Sequence, residues 1–195
     1  MTCILGVLDK EKDCVYIGAD SLGSNYYLQA LYKNKKVFKA KNNDNILMAI
    51  CGDYKLQNFL SVEENLVEEI KELKNEVNFE HMVKYVSPKI MNLAKQYNCC
   101  ENDKGYSRIN GSIIFAYKNQ LYSIGSNGQV LEPADNYIAG GSGEDFALAV
   151  LSQNGDKDVV SRIIEGLEAA EKHALGVKRP FYIMNTLDDD VLEIK

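Results

Sequence analysis

The chain holds two histidines, His81 and His173, no tryptophan and three prolines in 195 residues. Two imidazoles are little material for a Ser/His/Asp triad or a histidine-ligated metal, so any catalysis must draw on other acid–base groups. Long apolar runs are also missing. The densest, Ile46 to Cys51, falls far short of the roughly 18 residues a membrane-crossing helix needs. No basic stripe appears, and 22 basic against 28 acidic side chains leave a net charge of −6. That balance argues against a nucleic-acid partner, because phosphate binding needs clustered Lys and Arg. The run Thr2 to Leu8 has no positive region ahead of it and meets charge at Asp9, unlike a signal peptide. Cys3, Cys14, Cys51, Cys99 and Cys100 are odd in number and lack CxxC spacing, so neither a disulfide framework nor a zinc site is expected. A reducing, cytoplasmic setting without membrane attachment fits.

What is present is a chain 46% apolar, of a length that suits one domain over residues 1–195. Cys3 to Leu8 and Cys14 to Ala19 read as a hairpin around Asp9-Lys10-Glu11-Lys12-Asp13. Lys36 to Ala40 and Ile46 to Cys51 read as a second pair around Asn42 to Asn45, so four strands precede any helix. Apolar residues recur at helical spacing from Tyr54 to Leu73 and from Asn78 to Tyr97, with Pro88 predicting a kink or break near Ser87. Strands return at Gly111 to Tyr117, Leu121 to Ile124 and Tyr137 to Ala139. Helices follow at Glu144 to Gln153 and Asp158 to Ala174, and strands at Phe181 to Met184 and Val191 to Ile194 close the chain. Strand blocks with hairpin connections, alternating with helix pairs, define an α+β protein of antiparallel sheets covered by helices.

One hydroxyl stands out by position. Pairing Leu8 with Cys14 in the first hairpin places Thr2 opposite Asp20, and a single bulge would move that register by one. If Met1 is removed, Thr2 carries a free α-amine beside its own hydroxyl. With a reference pKa of about 7.7–8.0, that amine can act as a general base near neutral pH, and so activate the hydroxyl without histidine. A threonine after the initiator is also common for no catalytic reason. A nearby ammonium would lower the amine's proton affinity. Lys33, Lys35, Lys36 and Lys39 compete for that place, and Lys36, sharing a strand face with Phe38 and Ala40, is the best suited to partial burial.

These residues resemble a known family: the threonine peptidases of the proteasome β-subunit and HslV type, within the N-terminal nucleophile hydrolases. Thr2-Cys3-Ile4-Leu5-Gly6 looks like the mature N-terminus, Ile17 to Ser21 like the strand carrying the acid, and Lys35-Lys36-Val37 like the lysine strand. Met48 to Asp53 resembles the strand end that supplies the oxyanion hole. Ile138 to Gly143, followed by Phe146-Ala147-Leu148, is similar to the turn that enters the third helix. A tighter resemblance is to small proteasome-like proteins of bacteria and phages, carried by the TCI-x-G start, Gly143 to Leu148 and Pro180-Phe181-Tyr182-Ile183.

The resemblance implies a four-layer αββα sandwich. It also implies Thr2 as nucleophile, Asp20 and Lys36 as its acid and lysine, the Gly52 N–H as oxyanion donor, and Ser142 as a partner of the terminal amine. Ser24 and Ile50 would then meet substrate, with Ile50 lining a pocket for hydrophobic or uncharged side chains. No metal or organic cofactor is implied. A homo-oligomeric ring and an unfoldase ATPase that feeds peptide or unfolded protein into it are the implied partners. Three departures stand against a full carry-over. His173 falls where the family has an aspartate, Gly176 where it has a serine, and Leu22-Gly23-Ser24 replaces the usual residues after the acid. A silent structural subunit of the same fold and a small-molecule amidase therefore stay open beside the peptidase. Ser142, ahead of Glu144 and Asp145, also reads as a helix N-cap, and His173 as a helix-end residue.

Overall fold

The computed structural model of the chain describes residues 1–25, 28–64, 66, 77–103 and 105–195. In chain order its strands begin with β1 (Cys3–Asp9), β2 (Cys14–Ala19), β3 (Leu22–Asn25), β4 (Leu28–Leu31), β5 (Val37–Ala40) and β6 (Asn43–Gly52). Helix α1 (Tyr54–Val62) follows. Next comes α2, made of a first turn Phe79–His81, a π-helical turn Met82–Val86 and an α-helix Ser87–Gln96. Strands β7 (Cys100–Asp103), β8 (Tyr106–Ile109), β9 (Gly111–Tyr117), β10 (Gln120–Ile124), β11 (Val130–Leu131) and β12 (Tyr137–Gly141) lead to α3 (Glu144–Leu151) and α4 (Val159–His173). Strands β13 (Phe181–Asn185) and β14 (Leu192–Ile194) end the chain.

Two antiparallel five-stranded sheets form, in the orders β12-β1-β2-β13-β14 and β11-β10-β9-β6-β5. Their sequences explain why they stack. Along β6, Ile46, Met48 and Ile50 pack in the core that also takes in α1 and α2, while Leu47, Ala49 and Cys51 pack between the sheets. Along β1, Cys3, Leu5 and Val7 share a core with Leu167 and Ala170 of α4, while Ile4 turns inward. Burial on both faces is what turns these strands into nearly continuous apolar runs. The result is the expected four-layer αββα sandwich. No helix of the described residues is long and apolar enough to cross a membrane.

The element boundaries differ from expectation in instructive ways. Six strands precede the first helix, because β3 and β4 form an additional hairpin. Their apolar residues alternate poorly, and Leu28 and Leu31 are exposed. The hairpin β7–β8 was hidden likewise among polar residues. Strand β6 begins at Asn43, earlier than Ile46, because the turn is made at Lys41-Asn42, with Asn42 at φ 67°. Pro88 does not break its helix. The π-helical turn ends directly before Ser87, and the proline sits in the first turn of the α-helix beyond it, where its missing N–H costs little. The second half of the helix expected over Tyr54 to Leu73 lies, from residue 67 on, outside the described residues. His81 belongs to a capping box, its Nδ1 accepting from the Asn78 N–H at 3.5 Å while the Asn78 side chain accepts from the His81 N–H at 3.0 Å.

Candidate active site

The first hairpin sets up the site in a different register from the one expected. Leu8 pairs with Val15 and Ile4 with Ala19, a shift of one residue that sets Asp20 against Cys3 and not Thr2. The Asp20 N–H donates to the Cys3 carbonyl at 3.2 Å. The carboxylate reaches the N-terminus nonetheless, because Asp20 lies just past the end of β2 and its side chain meets the start of the neighbouring strand β1. Oδ1 accepts from the Cys3 N–H at 2.9 Å and Oδ2 from the Leu22 N–H at 3.0 Å. The Lys178 N–H, from the segment after α4, adds a longer contact to Oδ2 at 3.4 Å.

Lys36, just ahead of β5, is aimed into this cluster. Its Nζ lies 2.7 Å from Asp20 Oδ1, and the two side chains are 1% and 0% exposed. The ammonium donates also to the Leu22 carbonyl at 2.8 Å and to the Met1 carbonyl at 3.5 Å, which occupies its three N–H bonds. Burial lowers its proton affinity below that of an ordinary lysine, and the charge and hydrogen bond of Asp20 oppose the shift. Tyr54, the first residue of α1, covers the pair: its ring centroid is 6.0 Å from Lys36 Nζ, and its hydroxyl donates to the Leu22 carbonyl at 3.4 Å. Burial and the Asp20 charge push that phenol up to about 12.

Thr2 is 4% exposed. Its Oγ1 donates to the Met1 carbonyl at 2.6 Å, the same oxygen that Lys36 approaches. Its N–H donates to Ser142 Oγ at 3.2 Å, and Ser142 Oγ donates back to the Thr2 carbonyl at 3.3 Å. The expected capping role of Ser142 is not taken up. Gly143 is the N-cap of α3 and its N–H goes to the Thr2 carbonyl at 3.3 Å, so the turn ahead of α3 is built around Thr2. Gly141 fits there for lack of a side chain: a Cβ would stand 2.3 Å from the Thr2 carbonyl oxygen and 3.3 Å from Cys51 Cβ. Thr2, Asp20, Lys36 and Ser142 thus form one hydrogen-bonded cluster.

The other three residues singled out from sequence stand at its margin or beyond. Gly52 ends β6 directly after Cys51, with φ 106°, and a Cβ on it would come within 1.9 Å of the Asn110 carbonyl oxygen, so glycine is required at this strand end. Ser24 lies on β3 opposite Gln29, two residues beyond Leu22. The Ile50 side chain is buried in the core beneath α1 and α2, on the opposite face of β6 from Cys51. Cys3 faces α4, and burial followed by the Asp20 charge raises its thiol far above the usual range, which leaves no thiolate to compete as nucleophile.

His173 ends α4 and rests on Phe146 at 5.2 Å between ring centroids. Gly176 lies against Met1: a Cβ at this position would be 1.8 Å from Met1 Cβ. Sequence reasoning missed the roles of the Leu22 and Met1 carbonyls and of the Lys178 N–H, which as backbone groups carry no side-chain signature. It also missed Tyr54, for which an aromatic residue opening the helix after Gly52-Asp53 was the available signal.

Residues 2–172 match the family described as Proteasome subunit, and the chain belongs to that family. Among solved structures it is similar to BPH from Thiobacillus denitrificans, with a TM-score of 0.70, 16% identity and coverage of 100% of this chain and 99% of that one. It is similar also to the same organism's BPH in complex with epoxomicin, with a TM-score of 0.69, 15% identity and full coverage of both chains. Eukaryotic HslV from Trypanosoma brucei matches with a TM-score of 0.68 and 19% identity over 94% of this chain and 98% of that one. At these identities the likeness is one of fold. No curated protein matches.

Proposed function

We propose that the chain is a threonine-type peptidase, with Thr2 as its N-terminal nucleophile once Met1 has been removed, working within a homo-oligomeric ring on peptide or unfolded-protein substrates. Thr2 Oγ1 attacks the peptide carbonyl. The free Thr2 amine takes the hydroxyl proton and returns it to the leaving amine, a task its reference pKa of about 7.7–8.0 suits. Lys36 keeps a positive charge beside the hydroxyl, Asp20 holds Lys36 in place, Ser142 orients the amine, and the Gly52 N–H receives the developing oxyanion. The resulting acyl-enzyme is an ester of Thr2, hydrolysed by water with the same amine as base.

The observation that carries this proposal is the Lys36–Asp20 pair. Burying an ammonium and a carboxylate together seldom stabilises a fold more than apolar residues of the same size would. Here the pair is wholly buried and the ammonium's third contact is to the carbonyl oxygen that Thr2 Oγ1 also holds. A charge so placed makes chemical sense at a nucleophile. Membership of the proteasome subunit family and the likeness to HslV favour the same class of activity. One observation favours a second reading, a silent structural subunit: while Met1 is attached, its carbonyl engages both Thr2 Oγ1 and Lys36, and the amine is an amide.

Intact mass, peptide hydrolysis and sedimentation together decide between them. Loss of Met1, a ring-sized species and turnover of peptidyl coumarylamides abolished by Thr2→Ala are expected. A chain that lacks Met1 and forms a ring yet hydrolyses nothing would refute the peptidase.

A further inference from the structure

Beside the cluster, β6 and β9 meet at a pair of glycines. Gly52, the last residue of β6, stands opposite Gly111, the first of β9, and both have positive φ, 106° and 123°. Each leaves room for the carbonyl that precedes the other. A Cβ on Gly52 would come within 1.9 Å of the Asn110 oxygen, and one on Gly111 within 1.8 Å of the Cys51 oxygen and 2.8 Å of the Cys51 carbonyl carbon.

These distances fix a direction. A C=O bond is about 1.23 Å long, so the Cys51 oxygen lies between its own carbon and the missing Gly111 side chain, and the carbonyl points at Gly111. In a trans peptide, as Cys51–Gly52 is, the N–H points opposite to the C=O. The Gly52 N–H therefore points away from β9. The neighbouring hydrogen bonds agree: the Asp53 N–H goes to the Asn110 carbonyl at 3.0 Å, on the β9 side, and the Ile50 N–H to the Lys36 carbonyl at 3.3 Å, on the other. N–H groups two residues apart along a strand point the same way, so that of Gly52 faces the side of Lys36. Strand β5 begins only at Val37, opposite Ala49, so no residue of that strand lies across from Gly52, which is exposed.

We infer that Gly111 is a positioning residue of the site: its bare Cα seats the Cys51 carbonyl and so aims the Gly52 N–H at the place where the oxyanion develops. The inference rests on the peptidase reading, with Gly52 as donor. A side chain at position 111 has to push the Cys51 oxygen aside. The peptide is rigid and planar, so the N–H at its other end turns by the same angle. A hydrogen bond weakens steeply as it bends, and an oxyanion donor acts only while it is aimed.

The test is Gly111→Ala in the full chain without Met1. The expected kcat for a peptidyl coumarylamide falls about 10²-fold while KM stays within about threefold, because the donor meets a charge that exists only in the transition state. The pH profile should keep its acidic limb, since Thr2, Lys36 and Ser142 are not touched, and a thermal melt shows that the variant is folded at the assay temperature. Thr2-dependent hydrolysis with kcat of the folded variant within about threefold of the parent would overturn the role of Gly111 and leave the nucleophile standing. So would a parallel change in KM or a displaced acidic limb, which mark a general disturbance of the site. If the variant does not fold, or if no peptide is cut and the peptidase reading fails, amide hydrogen exchange of the parent chain decides. The Gly52 N–H, aimed off both strands, should exchange at least about tenfold faster than the bonded N–H groups of Ile50 and Asp53. Equal protection of the three would overturn the inference by itself.

Discussion

Gly176 offers a test of how the N-terminus is seated. A methyl at this position would stand 1.8 Å from Met1 Cβ, 2.8 Å from its Cγ and 2.9 Å from its Sδ, so the three nearest atoms all belong to Met1. Gly176→Ala therefore forces Met1 out of its seat. Fully burying a methionine side chain stabilises by about 1.5–3 kcal/mol. Met1 is 57% exposed, so less than half of that is at stake. The expected loss is about 1 kcal/mol, which for a domain of this size lowers Tm by about 2–4 °C. In a chain that starts at Thr2 those three atoms are gone and the substitution should change Tm by less than about 1 °C. Both forms can be made by placing a cleavable fusion partner before Met1 or before Thr2, and both read by calorimetry. A second readout is kinetic. Methionine aminopeptidase should release Met1 faster from folded Gly176→Ala than from the parent, because the Met1–Thr2 bond is otherwise held by the Ser142 and Lys36 contacts. Equal losses of Tm in the two forms would refute the seat, since Gly176 would then act through its own backbone. So would an unchanged Tm with Met1 present.

Lys36→Met leaves the Asp20 carboxylate buried without its counter-charge, and should cost about 3–5 kcal/mol in urea unfolding, with Lys36→Met plus Asp20→Leu costing less than the sum of the two single losses; additive losses would contradict the pairing. Cys3→Ser should leave peptide hydrolysis within about threefold while lowering stability by about 1–3 kcal/mol, because the thiol is buried against α4 and a hydroxyl there finds no water; loss of turnover in a folded protein would make Cys3 part of the chemistry. The Tyr54 phenol is raised from 10 to about 12, so its contribution to stability is complete below pH 10 and fades as pH climbs toward 12. Tyr54→Phe should flatten that part of the stability–pH curve, and an unchanged slope would show that Tyr54 does not titrate differently on folding. Ser142→Ala should lower kcat/KM of the Met1-free chain by roughly three- to tenfold, the worth of one hydroxyl hydrogen bond, with a displaced acidic limb of the pH profile; no change would remove Ser142 from the amine's surroundings.

The layers were legible in the sequence because each sheet is buried on both faces. Leu47 and Met48 point to different cores yet both are apolar, so β6 read as one dense run. Where a hairpin lies on the surface the signal vanished, as in β3–β4 and β7–β8. The register of the first hairpin was the least legible part. Nothing in Asp9 to Asp13 says whether Leu8 meets Cys14 or Val15, and the difference of one residue moves Asp20 from Thr2 to Cys3. Asp20 still meets the N-terminal segment because its carboxylate accepts from the backbone N–H groups of Cys3 and Leu22. The resemblance implied Ile50 as the residue lining a substrate pocket; side-chain alternation along β6 places it in the core with α1 and α2.

The cluster around Thr2 contains a competition that sequence alone could not reveal. In the mechanism proposed above, the free Thr2 amine would take over the place of the peptide N–H that donates to Ser142. With Met1 attached, the peptide N–H takes the Ser142 hydroxyl and the Met1 carbonyl takes the Thr2 hydroxyl and the third donor of Lys36. In that mechanism cap and base would compete for the Ser142 hydroxyl and for the space beside Lys36. Gly176, where a serine would have been expected, strengthens the capped state by making room for the methionine side chain. It follows that a serine at this position, Gly176→Ser, acts first on Met1: the substitution disfavours the cap sterically, and only in the chain that has already lost Met1 can the new hydroxyl reach toward the amine.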